Sequence, residues 1–177
     1  MEYKRLFILL EGNDDERFFE KIIKPEFEKR YDYVKLYLYA DKSPKKIENF
    51  IKSILAMMAD YIIMADINRS PCVTHKKKVV ADKKIRGKRV NKKNIMVVIK
   101  EIESWYLGGL NPASLKDLGI KYSKKTNDLT KEQFNRLIPG KFISRIDFMQ
   151  EILKYFKLET AKQNNKSFHY FVKRFKI

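Results

Sequence analysis

Cysteine and histidine are scarce in this sequence. Cys72 is the single cysteine, and the 177 residues include only 2 histidines. An intramolecular disulfide is therefore excluded, and a reducing compartment is expected. Cys72 and His75 have the spacing of two metal ligands, but no second pair exists to complete a zinc site. The same scarcity argues against a catalytic Cys–His pair.

Long apolar runs are missing as well. The apolar run at residues 6–10 is too short for the core of a signal peptide. No stretch reaches the roughly 18 apolar residues that a membrane span needs. Gly12 is not followed by the second glycine and the Lys-Ser/Thr of a P-loop, so we do not expect the chain to hydrolyse ATP. These absences predict a cytoplasmic protein without a membrane segment.

Acidic residues are outnumbered by basic ones. The chain has 39 Lys+Arg against 22 Asp+Glu, a net charge of +17, and a sequence pI of 9.8. Such a charge attracts polyanions through counterion release, so nucleic acid, DNA or RNA, is the expected partner and an anionic membrane surface ranks behind it. A lysine-rich surface that serves only solubility is the alternative. With 44% hydrophobic residues, the chain is expected to fold.

Short apolar runs alternate with helical patterns in the first part of the chain. The alternation predicts an α/β fold with a mostly parallel sheet flanked by helices. Pro25 lies within the first helical pattern, which must therefore bend there or end near Lys24. After Gly108 and Gly109 the patterns are helical only. The sequence predicts an α/β domain at residues 1–107 and a helical C-terminal extension at 108–177. The expected strands are 6–10, 34–39, 61–66 and 95–99, and the expected later helices are about 112–118, 130–138, 146–156 and 168–175.

Acidic residues follow three of the strand-like runs. Glu11 and Asp66 close their runs directly, and Glu101 and Glu103 follow the last run after one lysine. Sites in parallel sheets form at the carboxyl ends of the strands, so these acids are expected to converge. Clustered carboxylates require cations between them, and their oxygens select Mg²⁺ or Mn²⁺. For the acids at 14–16 an ordinary role at a helix start is the alternative.

Two short motifs resemble those of a known family. Residues 11–16 read Glu-Gly-Asn-Asp-Asp-Glu, and residues 101–107 read Glu-Ile-Glu-Ser-Trp-Tyr-Leu. The first resembles the opening motif of the Toprim domain of topoisomerases, primases and OLD-type nucleases. Together they are similar to the Glu-Gly-x-Thr-Glu-Glu and Glu-x-Glu-x-Trp-x-Leu motifs of a small Toprim-like, OLD-nuclease-related family. That family also has a helical C-terminal part ending in a Ser-Phe segment, here Ser167 and Phe168. The resemblance covers most of the chain and implies a Toprim-like (Rossmann-like) fold.

The resemblance also implies a set of metal ligands. Glu11 would be a metal ligand and general acid/base, and Asp15 would be the second acid of the first motif. The family's Asp-x-Asp pair, which holds Mg²⁺, falls on residues 66–68, Asp-Ile-Asn. Asn68 therefore offers a neutral carbonyl oxygen where the family has a carboxylate. This departure should weaken metal binding.

Glu103, or Glu101 in its place, is the candidate for the missing carboxylate. Both could face the site only if they lie on a strand, where residues i and i+2 share a side. The expected catalytic residues are Glu11, Asp66 and Glu103. The expected ligands of Mg²⁺ or Mn²⁺ are Glu11, Asp15, Asp66, Asn68 and Glu103.

A basic segment follows the Asp66 turn. From Arg69 to Lys100 the chain has twelve Lys or Arg and one acid, Asp82. Arg69 is the candidate phosphate clamp, because a guanidinium binds phosphate oxygens bidentately. A solvated helix or loop with no partner is the alternative. The expected nucleic-acid contacts are Arg69, Lys76, Lys77, Lys78, Lys83, Lys84, Arg86, Lys88 and Arg89.

Three functions are compatible with these features. The first is a Toprim-like, Mg²⁺-dependent nuclease whose carboxylate cluster lies beside a basic surface. The second is a nucleic-acid-binding module without activity, and the third is an accessory subunit that needs a partner ATPase. The choice between DNA and RNA and the oligomeric state stay open.

Overall fold

The computed structural model describes residues 3–84 and 90–177, without the side chains of residues 83 and 84. The chain divides into two compact units, Met1–Val97 and Val98–Ile177. The division falls before the boundary expected after residue 107. In the described part of the chain, no helix is both long and apolar enough to cross a membrane.

A four-stranded parallel sheet forms the centre of the first unit. Its strands are β1 (Arg5–Leu10), β2 (Tyr33–Leu38), β3 (Asp60–Asp66) and β4 (Ile95–Val98), in the order β2-β1-β3-β4. β1 lies between β2 and β3 and is buried from Leu6 to Leu10. Burial on both faces explains why its sequence is continuously apolar. The predicted α/β fold with a parallel sheet is confirmed.

Helical segments connect the strands. They are α1 (Asn13–Phe18), a π-helical turn (Phe19–Ile23), α2 (Lys24–Glu28), α3 (Pro44–Ala56), α4 (Val73–Val79), a second π-helical turn (Val80–Lys84) and a 3₁₀ turn (Lys92–Asn94). The first helical stretch does not end at Lys24. Pro25 lies in the first turn of α2, directly after the π-helical turn. A proline is tolerated there because the missing N–H belongs to a widened turn rather than to a regular helical ladder.

One face of the sheet packs against α3. The helix begins at Ser43, whose Oγ accepts a hydrogen bond from the Lys46 N–H at 3.4 Å, and Pro44 follows at its first position. Apolar residues then recur along one side and face the sheet. This cluster includes Phe7, Leu9, Ile47, Ile51, Ile54, Tyr61 and Ile63.

The second unit is helical. Its helices are α5 (Glu103–Gly108), α6 (Pro112–Leu118), α7 (Lys131–Arg136), α8 (Arg145–Tyr155), α9 (Leu158–Asn164) and α10 (Lys166–Phe175). The prediction of a helical C-terminal region is confirmed, and α6, α8 and α10 lie close to their expected bounds. Two helices were not predicted. One of them, α5, begins at Glu103, so neither Glu101 nor Glu103 lies on a strand, which was the condition for both to face the site together.

Candidate functional site

The carboxyl ends of the first three strands lie level with one another. β1 pairs with β2 at Leu10–Leu38 and with β3 at Leu9–Ile63. The next residue of β2, Tyr39, continues the pairing, because its N–H donates to the Leu10 carbonyl at 3.0 Å. The residues that follow these positions therefore meet at one edge of the sheet.

The carboxylate of Glu11 lies between the ends of its two neighbouring strands. Its Oε2 accepts a hydrogen bond from the backbone N–H of Asp66 at 3.2 Å. Its Oε1 lies 3.2 Å from the hydroxyl of Tyr39. The carbonyl oxygen of Met64, at 2.9 Å, is a second acceptor for the same hydroxyl proton. The structure thus brings Glu11 and Asp66 together, as their strand-end positions predict.

Tyr39 was not recognised as a site residue from the sequence. Its side chain is 0% exposed, although the alternation in β2 places it on the more polar face. Burial, and then the charges of Glu11, Asp15 and Asp66, raise the pKa of its hydroxyl well above the ordinary value. The phenol therefore stays neutral beside three carboxylates. Its position directly after a strand, like that of Glu11, was the signal that could have identified it.

Asp15 lies near this edge of the sheet and also caps the start of α1. It is 6% exposed, and its Oδ2 accepts the backbone N–H of Gly12 at 3.0 Å. A carboxylate that reaches back from the first turn in this way caps the helix. Asp14, in contrast, forms an ion pair with Arg17 at 2.7 Å on the same helix. The alternative of an ordinary helix-start role therefore applies to Asp15. Its role as a metal ligand stays a prediction.

Asn68 lies in the turn that follows β3. Its φ of 49° is in the left-handed region, and the turn closes where the Ser70 N–H donates to the Ile67 carbonyl at 3.0 Å. Asparagine adopts this conformation more readily than most residues. The backbone thus gives a local reason for asparagine here. Both Asn68 and Arg69 are exposed.

Glu103 lies in the helical unit with basic partners of its own. Its side chain is 2% exposed and forms an ion pair with Arg145, while Lys131 Nζ is 4.0 Å away. Burial raises the pKa of the Glu103 carboxyl, and the Arg145 and Lys131 charges oppose that rise. Glu101 Oε2 accepts the backbone N–H of Lys131 at 2.6 Å, at the start of α7. Both acids therefore have structural partners within the second unit.

Trp105 of the Glu-x-Glu-x-Trp-x-Leu motif and Ser167 of the C-terminal Ser-Phe segment are in contact. The indole Nε1–H of Trp105 donates to Ser167 Oγ at 2.8 Å, and the Trp105 ring lies 5.0 Å from that of Phe168. Ser167 Oγ donates in turn to Asn165 Oδ1 at 2.8 Å. These motif residues form the core of the helical unit. Trp105, 1% exposed, is a core residue.

The predicted nucleic-acid residues differ in exposure. Lys78 is exposed like Arg69, and Lys77 is partly exposed. Lys76 is only 4% exposed, since it lies on the side of α4 that leads to the buried Val80. It therefore contributes little to an exposed basic surface. The predictions for Arg86, Lys88 and Arg89, and for the side chains of Lys83 and Lys84, lie outside the described residues.

The structure also limits the number of metal-binding side chains. Across residues 3–84 and 90–177, no group of three or more His, Cys, Asp and Glu side chains is arranged to hold a metal ion. At the sheet edge, Glu11 and Asp66 are linked through the backbone N–H of Asp66, which donates to the Glu11 carboxylate. The five-ligand set stays a prediction.

Comparison of the chain with protein-family models, curated proteins and solved structures gives no match. The first unit is a small α/β domain whose strand order, 2-1-3-4, is compatible with Toprim-like folds. In this domain the first motif lies at the end of β1 and the start of α1, where the resemblance places it.

Proposed function

We propose that the chain is a Toprim-like nuclease that hydrolyses phosphodiester bonds of a nucleic acid with Mg²⁺ or Mn²⁺. The observation that carries the proposal is the meeting of Glu11 and Asp66 at the ends of neighbouring parallel strands. The sequence motif at residues 11–16 and the strand order support the same reading. Ligands of parallel α/β domains bind at this edge of the sheet.

The side chains at this edge suit a hard cation. Glu11 and Asp66 supply carboxylate oxygens, and Asp15 contributes a third charge near Tyr39. Mg²⁺ is commonly bound through one or two protein carboxylates together with substrate phosphates and water. Two carboxylate residues at the ends of neighbouring strands therefore fit such a site without a complete protein cage. Glu103 is not needed, and its ion pair with Arg145 makes it a poor candidate ligand.

Each protein group then has a defined task. A bound Mg²⁺ or Mn²⁺ would neutralise phosphate charge and lower the pKa of an attacking water. Glu11 would serve as ligand and general acid/base, exchanging a proton at a carboxylate oxygen. Asp66 would complete the carboxylate pair. Arg69, exposed in the turn after β3, would bind a phosphate of the substrate.

Cleavage assays with matched variants test this proposal. Supercoiled plasmid and labelled single- and double-stranded DNA and RNA are incubated with Mg²⁺, Mn²⁺ or EDTA. We expect metal-dependent cleavage that Glu11→Gln and Asp66→Asn abolish while nucleic-acid binding persists. Asp60→Asn is the control, because Asp60 lies at the opposite end of β3 and accepts the Tyr31 hydroxyl at 2.8 Å. Cleavage that survives Glu11→Gln would contradict the proposal.

A nucleic-acid-binding module without activity is the second candidate. It is favoured by the exposed Asn68 in place of a family carboxylate and by the lack, within the described residues, of any group of three or more His, Cys, Asp and Glu side chains that could hold a metal ion. Such a module would bind with a steep dependence on salt and cleave none of the substrates. An accessory subunit would cleave only after its partner ATPase is added.

A further inference from the structure

The hydroxyl of Tyr39 lies at the centre of the proposed site. It is 3.2 Å from Glu11 Oε1 and 2.9 Å from the Met64 carbonyl oxygen. We propose that Tyr39 is a positioning residue, which holds the Glu11 carboxylate in the orientation that binds the metal. The inference rests on the proposed function, since it concerns the same site.

The backbone of the sheet fixes the position of the phenol. Tyr39 directly follows β2, its N–H donates to Leu10 and its hydroxyl reaches Met64 on β3. The side chain thus spans from β2 to β3 at the end of β1, the strand that Glu11 follows. Its side chain is 0% exposed, so water does not compete for the hydroxyl. An anchor tied to both neighbouring strands leaves the phenol oxygen little freedom to move.

The two oxygens of Glu11 are held separately. Oε1 faces the Tyr39 hydroxyl and Oε2 faces the Asp66 N–H. Two contacts on different oxygens restrict rotation of the carboxylate about its last side-chain bond. Each carboxylate oxygen has two lone pairs, so a hydrogen bond to one leaves the other for a cation. The carboxylate is thus oriented without being blocked.

The chemistry of the donor matters as much as its position. A phenol has one proton, which Tyr39 shares between the Met64 carbonyl at 2.9 Å and the charged Glu11, the stronger acceptor, at 3.2 Å. A neutral donor orients a carboxylate without adding a positive charge that would oppose a bound cation. The guanidinium of Arg145 beside Glu103, in contrast, carries a positive charge that would oppose a bound cation. Tyrosine is therefore suited to support a metal ligand.

A metal-binding assay tests the inference without relying on cleavage. Mn²⁺ affinity is measured by isothermal titration calorimetry for wild type, Tyr39→Phe and Tyr31→Phe. Loss of a group that orients a ligand commonly weakens metal binding about 10- to 100-fold, which is the effect expected for Tyr39→Phe. Tyr31→Phe is the matched control, because it removes a tyrosine–carboxylate hydrogen bond at the opposite edge of the sheet. It should bind Mn²⁺ like wild type.

A double-mutant cycle separates positioning from a general effect on folding. Glu11→Asp shortens the side chain and withdraws the carboxylate from the phenol. If Tyr39 acts through Glu11, Tyr39→Phe should have little further effect on Mn²⁺ affinity in the Glu11→Asp background. Additive losses would overturn the inference. If Tyr39→Phe fails to fold, as judged by circular dichroism, Glu11→Asp alone must still weaken Mn²⁺ binding about tenfold or the inference fails.

The outcomes also separate this inference from the proposed function. Mn²⁺ binding that is lost in Glu11→Gln but unchanged in Tyr39→Phe would overturn the role of Tyr39 and leave the metal site intact. No Mn²⁺ binding by the wild-type protein, with or without nucleic acid, would overturn both.

Discussion

Replacing Arg145 by methionine should destabilise the helical unit by leaving Glu103 without its main partner. Glu103 is 2% exposed, and Arg145 Nη2 donates to its Oε1. Methionine keeps most of the apolar stem of arginine and removes the charge. The carboxylate would then keep only Lys131, at 4.0 Å, as a nearby cation.

The expected loss of folding stability depends on which partner of the ion pair is removed. Removing one partner of a buried ion pair costs about 3–5 kcal/mol, because the other charge stays buried. Arg145 is 24% exposed and Lys131 remains, so we expect a smaller loss of stability, about 2–3 kcal/mol. Glu103→Gln should cost less, since it removes the more deeply buried charge and leaves Arg145 access to water.

The pH dependence of the variant has a definite sign. Burial raises the folded-state pKa of Glu103 above its ordinary 4.5, while Arg145 lowers it. Stability associated with a raised carboxyl pKa is present below the unfolded pKa and is lost as the pH rises through the folded one. Arg145→Met removes the opposing charge and raises the folded-state pKa of Glu103 further. The difference in stability from wild type should therefore grow as the pH rises from about 4 to 7.

Urea unfolding at several pH values measures these differences. Lys154→Met is the control on the same helix, because Lys154 forms an exposed pair with Glu151 at 2.5 Å and is itself 66% exposed. Such a pair contributes about 0–1 kcal/mol. The reasoning is refuted if Arg145→Met is as mild as Lys154→Met, or if Glu103→Gln is the more damaging of the two changes at neutral pH.

Three further changes test other parts of the structure. Gly109→Ala should destabilise by about 1–3 kcal/mol in thermal unfolding, because its Cβ would lie 2.1 Å from the Phe156 ring. Asn165→Ala should cost about 2–4 kcal/mol in urea unfolding, since Asn165 is the N-cap of α10 and its buried amide joins a polar network. Spectrophotometric titration should show that Tyr39 ionises well above the ordinary tyrosine pKa, and Glu11→Gln should lower that pKa by removing a neighbouring negative charge.

Each of these predictions has a matched comparison. Gly108→Ala should be milder than Gly109→Ala, because its nearest contact is 3.1 Å, to Thr126 Oγ1. Asn127→Ala removes one acceptor, for the Lys166 N–H at 2.7 Å, and should cost less than Asn165→Ala. Tyr31, whose pKa burial raises to about 12, should titrate unchanged in Glu11→Gln. A control variant with the larger effect in any of these three comparisons would contradict the contacts on which that prediction rests.

The sequence predicted the fold class because each element has a clear apolar period. β1 and β3 are buried on both faces and read as continuous apolar runs, while α3 shows one apolar side and a proline at its start. The strand order was not predicted, since it depends on pairing between distant segments. The short helices α5 and α9 were missed because neither begins with a capping side chain, whereas the equally short α6 and α7 begin at Asn111 and Thr130.

Site residues could be predicted from the sequence only where their position at the end of a strand determines their location. Glu11 and Asp66 end neighbouring parallel strands, so topology alone brings them together. Glu103 follows an apolar run in the same way, but a helix begins at that residue and its partner Arg145 lies 42 positions further along the chain. Tyr39 was missed because an aromatic residue in a strand pattern reads as packing. Its partner Glu11 is 28 positions away.

The acids of this chain show that the partner, rather than the residue type, decides the role. Asp15 reaches the backbone N–H of Gly12 and caps a helix, while Glu103 lies against a guanidinium and stabilises a helical core. Glu11 accepts hydrogen bonds from two neutral donors, a phenol and a backbone N–H, one on each carboxylate oxygen. A metal ligand needs both direction and charge. Among these three carboxylates, Glu11 is therefore the one whose described contacts suit that role best.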